Sequence, residues 1–297
     1  MGTRLSIAAP ADYRLARDVC SYGYFRLAPD RWDVPTQTLH TIFDLSEGPA
    51  RAIIAQAGPG RLTGAFDRGI SRIEQREARQ KISRMFRLNE AEADLAAFHA
   101  VDPRWKDSGR GRIFRSPTLF QDVVRTITSC NVTWPGTVNM NRRLCEVLGR
   151  GGAFPREARL ARARAGTLRG RCRVGYRDQR LIDLARMFVA GEVDEGWLEN
   201  PGTPDEAVYK FLLTLPGVGA YAASNIMQLL GRYSRLAVDS ELVRHGRSTL
   251  GFAGSERQIV RQLHAHYEPF GAHKFRSYWL EMWTEYEAKL GPAHQWE

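Results

Sequence analysis

Apolar residues follow two spacing regimes along this 297-residue chain. Up to about residue 88, short β-prone runs are separated by Pro, Gly and Asp clusters: Tyr24-Phe25-Arg26-Leu27, then Leu39 to Leu45, Arg51 to Ile54 and Arg61 to Phe66. Such runs predict strands of a small antiparallel sheet. From Asn89 the spacing becomes helical. Leu95 and Phe98 share a face in 90–100, and Ser116-Pro117 offers an N-cap followed by proline at the first helical position. The helix begun there carries Leu119 or Phe120, Val123, Ile127 and Cys130 on one side and ends near Asn131. Met140, Leu144, Val147 and Leu148 mark the next helix, and Leu181, Leu184, Ala185 and Phe188 another. Val208, Phe211, Leu212 and Leu215 recur at i, i+3, i+4 and i+7, and Ala222, Ile226, Leu229 and Leu230 at i, i+4, i+7 and i+8. Ile259, Val260, Leu263 and Tyr267 give a further face, and Phe275, Tyr278, Trp279, Met282, Trp283 and Tyr286 an aromatic core stripe. The expected class is α+β, with an N-terminal antiparallel β domain over 1–88 and a helical domain over 89–297.

Composition narrows the setting. Hydrophobic residues make up 43% of the chain, the share of a soluble globular protein. No apolar run approaches a membrane span, and Met1-Gly2-Thr3-Arg4-Leu5 lacks a signal-peptide core, so the expected location is cytoplasmic, nucleoid-associated or nuclear, with no membrane partner. A formal charge of +10 favours a polyanion through counterion release. The only lysines are Lys81, Lys106, Lys210, Lys274 and Lys289, so the excess is arginine, which coding bias would also produce. Cys20, Cys130, Cys145 and Cys172 have no paired spacing, which points to neither a disulfide framework nor a zinc site.

The candidate chemistry lies between the two helices of 206–230. Pro216 ends the first, Gly217 and Gly219 permit a tight turn with positive φ, and Gly219 and Ala220 are too small to cover the second helix's N-terminus. Uncovered amides at the positive end of a helix dipole seat a phosphate. Downstream, Asp239 precedes a helix opening at Ser240-Glu241-Leu242, where it would cap the helix and stay ionised with a lowered pKa. Residues 156–177 form an arginine run, a pattern that usually marks a solvated face.

The stretch Leu212-Leu213-Thr214-Leu215-Pro216-Gly217-Val218-Gly219-Ala220-Tyr221, with Val238-Asp239 about twenty residues on, resembles the helix-hairpin-helix element of the DNA glycosylase superfamily named for its hairpin, its Gly/Pro-rich loop and a catalytic Asp. The resemblance implies a mostly helical two-lobed core. Ser21-Tyr22-Gly23-Tyr24-Phe25-Arg26-Leu27 with Arg31-Trp32 resembles the N-terminal β domain of the alkylation-type and oxoguanine-type enzymes. The hairpin resemblance implies Asp239 as the catalytic carboxylate that stabilises positive charge on the sugar. Ile127-Thr128-Ser129-Cys130-Asn131-Val132-Thr133-Trp134 with Arg143-Leu144-Cys145 resembles the oxoguanine-type segment whose asparagine fills the hole left by an extruded base, a role that falls to Asn131; an Asn closing a helix C-terminus is the alternative.

Further roles come from the same resemblance. Amides of Gly217, Gly219 and Tyr221 would hold a phosphate, with Val218 in the same DNA-binding loop, and carbonyls of Leu213, Leu215 and Val218 a structural Na+ or K+, with no cofactor in catalysis. No cysteine follows Cys172, so the iron–sulfur cluster of some relatives cannot form. Val174-Gly175-Tyr176-Arg177 looks like a loop near DNA, with a phosphate contact from Tyr176 or Arg177. Tyr22, Gly23, Trp134, Tyr221, Phe270 and Trp279 are base-pocket candidates, with His273 and Phe275 beside them; for Gly23 a hairpin glycine is the plainer reading. Two-step enzymes place a Schiff-base lysine where this chain has Tyr221, and the nearest lysine in sequence is Lys210, which implies a monofunctional glycosylase. Oxoguanine-type enzymes follow Val-Asp, one residue on, with a His where this chain has Glu241, which favours alkylated purines. The expected partner is duplex DNA with a damaged base, acted on by a monomer. A bifunctional oxoguanine-type glycosylase/lyase, a non-catalytic helix-hairpin-helix DNA-binding protein and an RNA-binding α/β domain are the alternatives.

Overall fold

A computed structural model describes residues 2–296 and is α+β. Strands β1 (Arg4–Ala8), β2 (Arg31–Asp33), β3 (Thr38–Asp44), β4 (Pro49–Gly58) and β5 (Arg61–Phe66) form one antiparallel sheet in the order β1-β5-β4-β3-β2. Alternation places Leu5, Ile7, Leu39, Phe43, Ile54, Leu62 and Phe66 in the core. Three expected strands are present, but Tyr24 to Leu27 is not one. Gly23–Arg26 is a 3-10 turn, closed by Leu27 N–H donating to Tyr24 O at 3.0 Å. Tyr24 and Phe25 are both buried, which consecutive residues of a one-sided strand cannot be. The sheet's further strand, β1, is a five-residue alternation too short to stand out in the sequence.

The longer helices are, in chain order, α1 (Arg72–Met85), α2 (Glu92–Val101), α3 (Leu119–Ser129), α4 (Trp134–Leu148), α5 (Asp178–Val189), α6 (Asp205–Leu212), α7 (Ala220–Leu229), α8 (Ser240–Ser248), α9 (Glu256–Tyr267) and α10 (Lys274–Leu290). None of the described residues form a helix long and apolar enough to cross a membrane. Contacts divide the chain into two compact units: Met1–Glu92, Arg112–Asp194 and Pro292–Glu297 in the first, Ala93–Gly111 and Glu195–Gly291 in the second. The chain first passes from one unit to the other between Glu92 and Ala93. The sheet, however, shares its unit with α1, α3, α4 and α5 rather than standing apart from all later helices.

The reason is a polar anchor inside the first unit. Arg125 and Asp30, both with fully buried side chains, pair at 2.9 Å, and the same guanidinium donates to Leu27 O, Ala28 O and Ser116 Oγ at 2.7, 3.1 and 3.1 Å. Tyr24 Oη and Thr126 Oγ1 share a hydrogen bond of 2.9 Å. These ties fasten α3 to the turn that feeds β2. The helix starts later than Ser116-Pro117 suggests: Thr118 is the N-cap, its hydroxyl accepting from Gln121 N at 3.2 Å. Ser116 is instead a buried bridge, its N–H donating to Asp122 Oδ1 at 2.7 Å. Residues Leu119 to Thr128 are all buried, so α3 is a central helix and not a one-sided one.

In the second unit the helical hairpin α6–α7 is clamped by Arg232. Its guanidinium donates to Leu198 O, Thr203 O, Asn200 O and Asp205 Oδ1 at 3.1, 2.7, 2.5 and 2.6 Å, fixing the 200–204 turn against the end of α7. Leu95, Phe98, Trp105 and Leu280 cluster where α2 meets α10. Most of the α10 aromatic stripe is core, as its spacing predicts.

Candidate active site

The hairpin turn is built by local rules. α6 ends at Leu212, three residues before its apolar periodicity runs out, and Leu215 N–H donates to Leu212 O at 3.2 Å in one further, tighter turn. Leu215-Pro216-Gly217-Val218 then closes with Val218 N–H donating to Leu215 O at 3.1 Å. Gly217 has φ +86°, so this is a turn with proline second and a left-handed glycine third. Gly219 differs from expectation: its φ is −102°, which any residue adopts. What its missing side chain provides is space, since a Cβ there would meet nothing within 4 Å. Gly219 is the N-cap of α7 and has no side chain to cap the first amides of the helix. The carbonyls of Leu213 and Val218 accept none of the turn's backbone hydrogen bonds, while that of Leu215 accepts one.

Asp239 caps α8, Oδ1 accepting from Leu242 N at 2.8 Å. The Glu241 backbone N–H and the Tyr221 hydroxyl also act on this carboxylate as donors that lower its pKa. The second contact ties the start of α7 to the start of α8, a link that spacing along the chain does not show. The expected lowering of the Asp239 pKa is not found. Burial, the largest influence, raises it and the Glu241 carboxylate adds to the rise, together outweighing the donors at Leu242, Glu241 and Tyr221.

A cavity of about 590 Å³ in this unit is lined by Tyr209, Ala220, Tyr221, Arg235, Val238 and Lys274, among others. Lys274 thus lines the same cavity as Tyr221, although Lys210 is nearer to it in sequence; the Lys274 Nζ lies 2.7 Å from Glu268 Oε2. Trp279 lies in an aromatic ladder, its ring 5.9 Å from that of buried Phe275 and 5.4 Å from Trp283. Phe270 packs on Tyr267 at 6.0 Å and carries the Arg104 guanidinium 5.4 Å from its centroid. Half-buried His273 occupies the N-cap position of α10 without a side-chain cap hydrogen bond.

In the first unit, Asn131 follows the C-cap of α3 with φ +51° and an exposed side chain. It closes the helix as asparagine often does, and its Nδ2 approaches Tyr176 Oη at 3.4 Å. Val132, Trp134 and Tyr176 beside it are exposed apolar or aromatic side chains. Arg177 is a correction. It is buried, donating through Nε to Ile127 O at 3.0 Å, through Nη1 to Val174 O at 3.3 Å and through Nη2 to Cys130 O. Its charge satisfies carbonyls at the end of α3, so it sets the Asn131 loop and is not presented to a phosphate. Tyr176 stacks over Arg177 and Arg180, 4.5 and 5.2 Å from centroid to guanidinium carbon.

Gly23 and Trp134 come together. A Cβ on Gly23 would lie 3.0 Å from Trp134 Cη2, so glycine here admits the indole and is neither left-handed nor in a hairpin. Tyr22 is buried, edge-on to Tyr24 at 4.7 Å. No group of His, Cys, Asp or Glu among the described residues could hold a metal ion.

No protein-family model matches the chain, and no curated protein sequence matches it. Solved structures do. A 3-methyladenine DNA-glycosylase from Archaeoglobus fulgidus superposes with a TM-score of 0.70 at 14% identity, over 96% of this chain and 99% of that one. The 8-oxoguanine glycosylase/lyase of Clostridium acetobutylicum gives 0.68 at 19% identity, over 95% and 97%. The Schizosaccharomyces pombe 3-methyladenine DNA glycosylase, in complex with abasic DNA, gives 0.52 at 16% identity, over 65% and 96%. The chain has the fold of the helix-hairpin-helix DNA glycosylases, of both oxoguanine and 3-methyladenine types.

Proposed function

We propose that this protein is a DNA repair glycosylase that extrudes a damaged base from duplex DNA and hydrolyses its N-glycosidic bond. The observation that carries this reading is the Asp239 carboxylate held at the head of α8 by Leu242 N–H and by Tyr221 of the hairpin. As the C1′–N bond breaks, its electron pair leaves with the base and the sugar becomes cationic; ionised Asp239 stabilises that cation and takes a proton from the water that attacks C1′. Amides of Gly217, Gly219 and Tyr221 hold the adjacent phosphate, while that of Val218 is used inside the turn. Leu213, Leu215 and Val218 carbonyls, two of them left over by the turn, suit a structural Na+ or K+ that would brace loop and phosphate. Asn131, with Trp134 and Tyr176 beside it, fills the gap left in the stack.

The monofunctional reading rests on Tyr221, whose hydroxyl is bonded to the carboxylate and cannot form a Schiff base. Lys274, on the same cavity, supports a glycosylase/lyase as the second reading. We favour alkylated purines as substrate: a cationic base leaves readily and needs mainly an aromatic face, and Glu241 stands where the oxoguanine-type enzymes have a histidine. The enzyme acts as a monomer on chromosomal DNA. A panel of duplexes, each with one damaged base, incubated with the protein and then with hot alkali, should give strand cleavage at an alkylated purine and none without alkali. A borohydride-trapped protein–DNA adduct would replace the monofunctional reading by the lyase, and no release from any duplex would end both.

A further inference from the structure

Residues 156–180 carry nine arginines against two acidic residues, in a chain whose formal net charge is +10. The segment is fixed in place by a minority of them. Arg156 pairs with Asp44 at 3.0 Å, Arg169 with Asp178 at 2.8 Å, Arg143 donates to Arg171 O at 3.2 Å, and Arg177 is buried against the end of α3. These ties set a compact path through a widened helical turn at Leu168–Cys172 and a left-handed Arg173 at φ +57°. The remaining side chains do no such work. Arg159, Arg162, Arg164, Arg171 and Arg173 are exposed and have no hydrogen-bond or ion-pair partner for the guanidinium among the described residues. Gly166 and Gly170 between them leave open space where a side chain would stand. The same segment contains Tyr176, which touches Asn131.

Five like charges within fifteen residues repel one another, and folding makes no use of them here. A cluster of exposed guanidinium groups with small residues between them suits the closely spaced phosphates of a nucleic-acid backbone. We propose that this tract is a second DNA-contact surface, gripping the phosphodiester backbone of the duplex that flanks the lesion and continuing the surface that begins at Asn131 and Tyr176. It would add sequence-independent affinity, allowing the protein to hold undamaged duplex while it searches. The inference rests on duplex DNA being the substrate, as proposed above.

The test replaces Arg159, Arg162, Arg164, Arg171 and Arg173 together by glutamine. A control replaces five other exposed, unpaired arginines, Arg4, Arg61, Arg72, Arg257 and Arg261, so that the same charge is removed elsewhere. Binding of an undamaged duplex is followed by anisotropy from about 50 to 200 mM salt, where each lost phosphate contact reduces the slope of log K against log salt by about 0.9. The tract variant should lose at least two such contacts, a slope smaller by about 1.8 or more, with affinity at the lowest salt down at least tenfold. Its single-turnover excision rate at saturating substrate should be that of the unaltered protein, and the control should keep its slope. An unchanged slope in the tract variant, or an equal loss in both variants, overturns the proposal. So does a tract variant that loses single-stranded RNA and keeps duplex DNA. If the unaltered protein binds duplex with the expected slope difference yet excises nothing, the glycosylase reading falls and the surface stands.

Discussion

Asp239→Asn separates chemistry from folding because of how the side chain is used. Oδ1 caps α8 through Leu242 N–H at 2.8 Å, and asparagine ranks with aspartate as an N-cap, so the helix start should survive. What disappears is the charge. A carboxylate about 4 Å from a developing sugar cation, at an effective dielectric of about 20, is worth about 4 kcal/mol, which corresponds to about a thousandfold in rate. Stability should move the other way. The folded-state pKa of Asp239 is raised by burial and by Glu241, so folding favours its protonated form; the associated stability is complete below the unfolded value and is lost as pH rises through the folded one. Asparagine avoids that loss, and at pH 7 the variant should melt at or above the temperature of the unaltered protein. The assay is single-turnover excision with enzyme in excess, alongside anisotropy binding and a thermal melt. A rate within tenfold of the original would refute the catalytic assignment. A melting point several degrees lower, about 1 kcal/mol or more in a domain this size, would refute the account of the cap and its burial.

Tyr221→Phe removes a donor to the Asp239 carboxylate, one of the influences that lower its pKa, so the acid limb of the single-turnover pH profile should move to higher pH; an unmoved limb would show that the hydroxyl does not reach the ionising group. The two hairpin glycines should respond differently. Gly217→Ala forces a left-handed alanine and should cost about 1–2 kcal/mol in a denaturant melt, whereas Gly219→Ala should leave the melt unchanged and weaken duplex binding, because its methyl would stand in open space at the start of α7; equal melting losses would contradict this division. Arg125→Met strands the buried Asp30 carboxyl and should destabilise by about 3–5 kcal/mol, and adding Asp30→Leu should restore part of that in a urea titration.

Much of the helical scaffold is legible in the chain because periodicity is a local property: α6, α7, α9 and α10 lie where their apolar spacing puts them, and proline with glycine specifies the turn between α6 and α7 without help from elsewhere. The strands of β3, β4 and β5 are legible for the same reason. Tyr24 and Phe25 were not, because β-prone residues suit any buried site and only the packing against Thr126 decides that they sit in a turn. Positions that depend on a distant partner are also invisible in sequence. An exposed phosphate contact at Arg177 and a cap that closes α3 differ only in which carbonyls lie nearby, and the fold supplies three of them. The Asp239 pKa follows the same logic, since a helix N-terminus alone lowers it and the amount of water removed around it is set by the surrounding unit. The sequence by itself determined most of the helices, three of the strands and the hairpin, and offered Asp239 as the candidate acid. Tertiary structure decided which charges are spent on holding the fold and which remain outside it, because desolvation and hydrogen-bond partnership are properties of the packed chain and not of spacing along it.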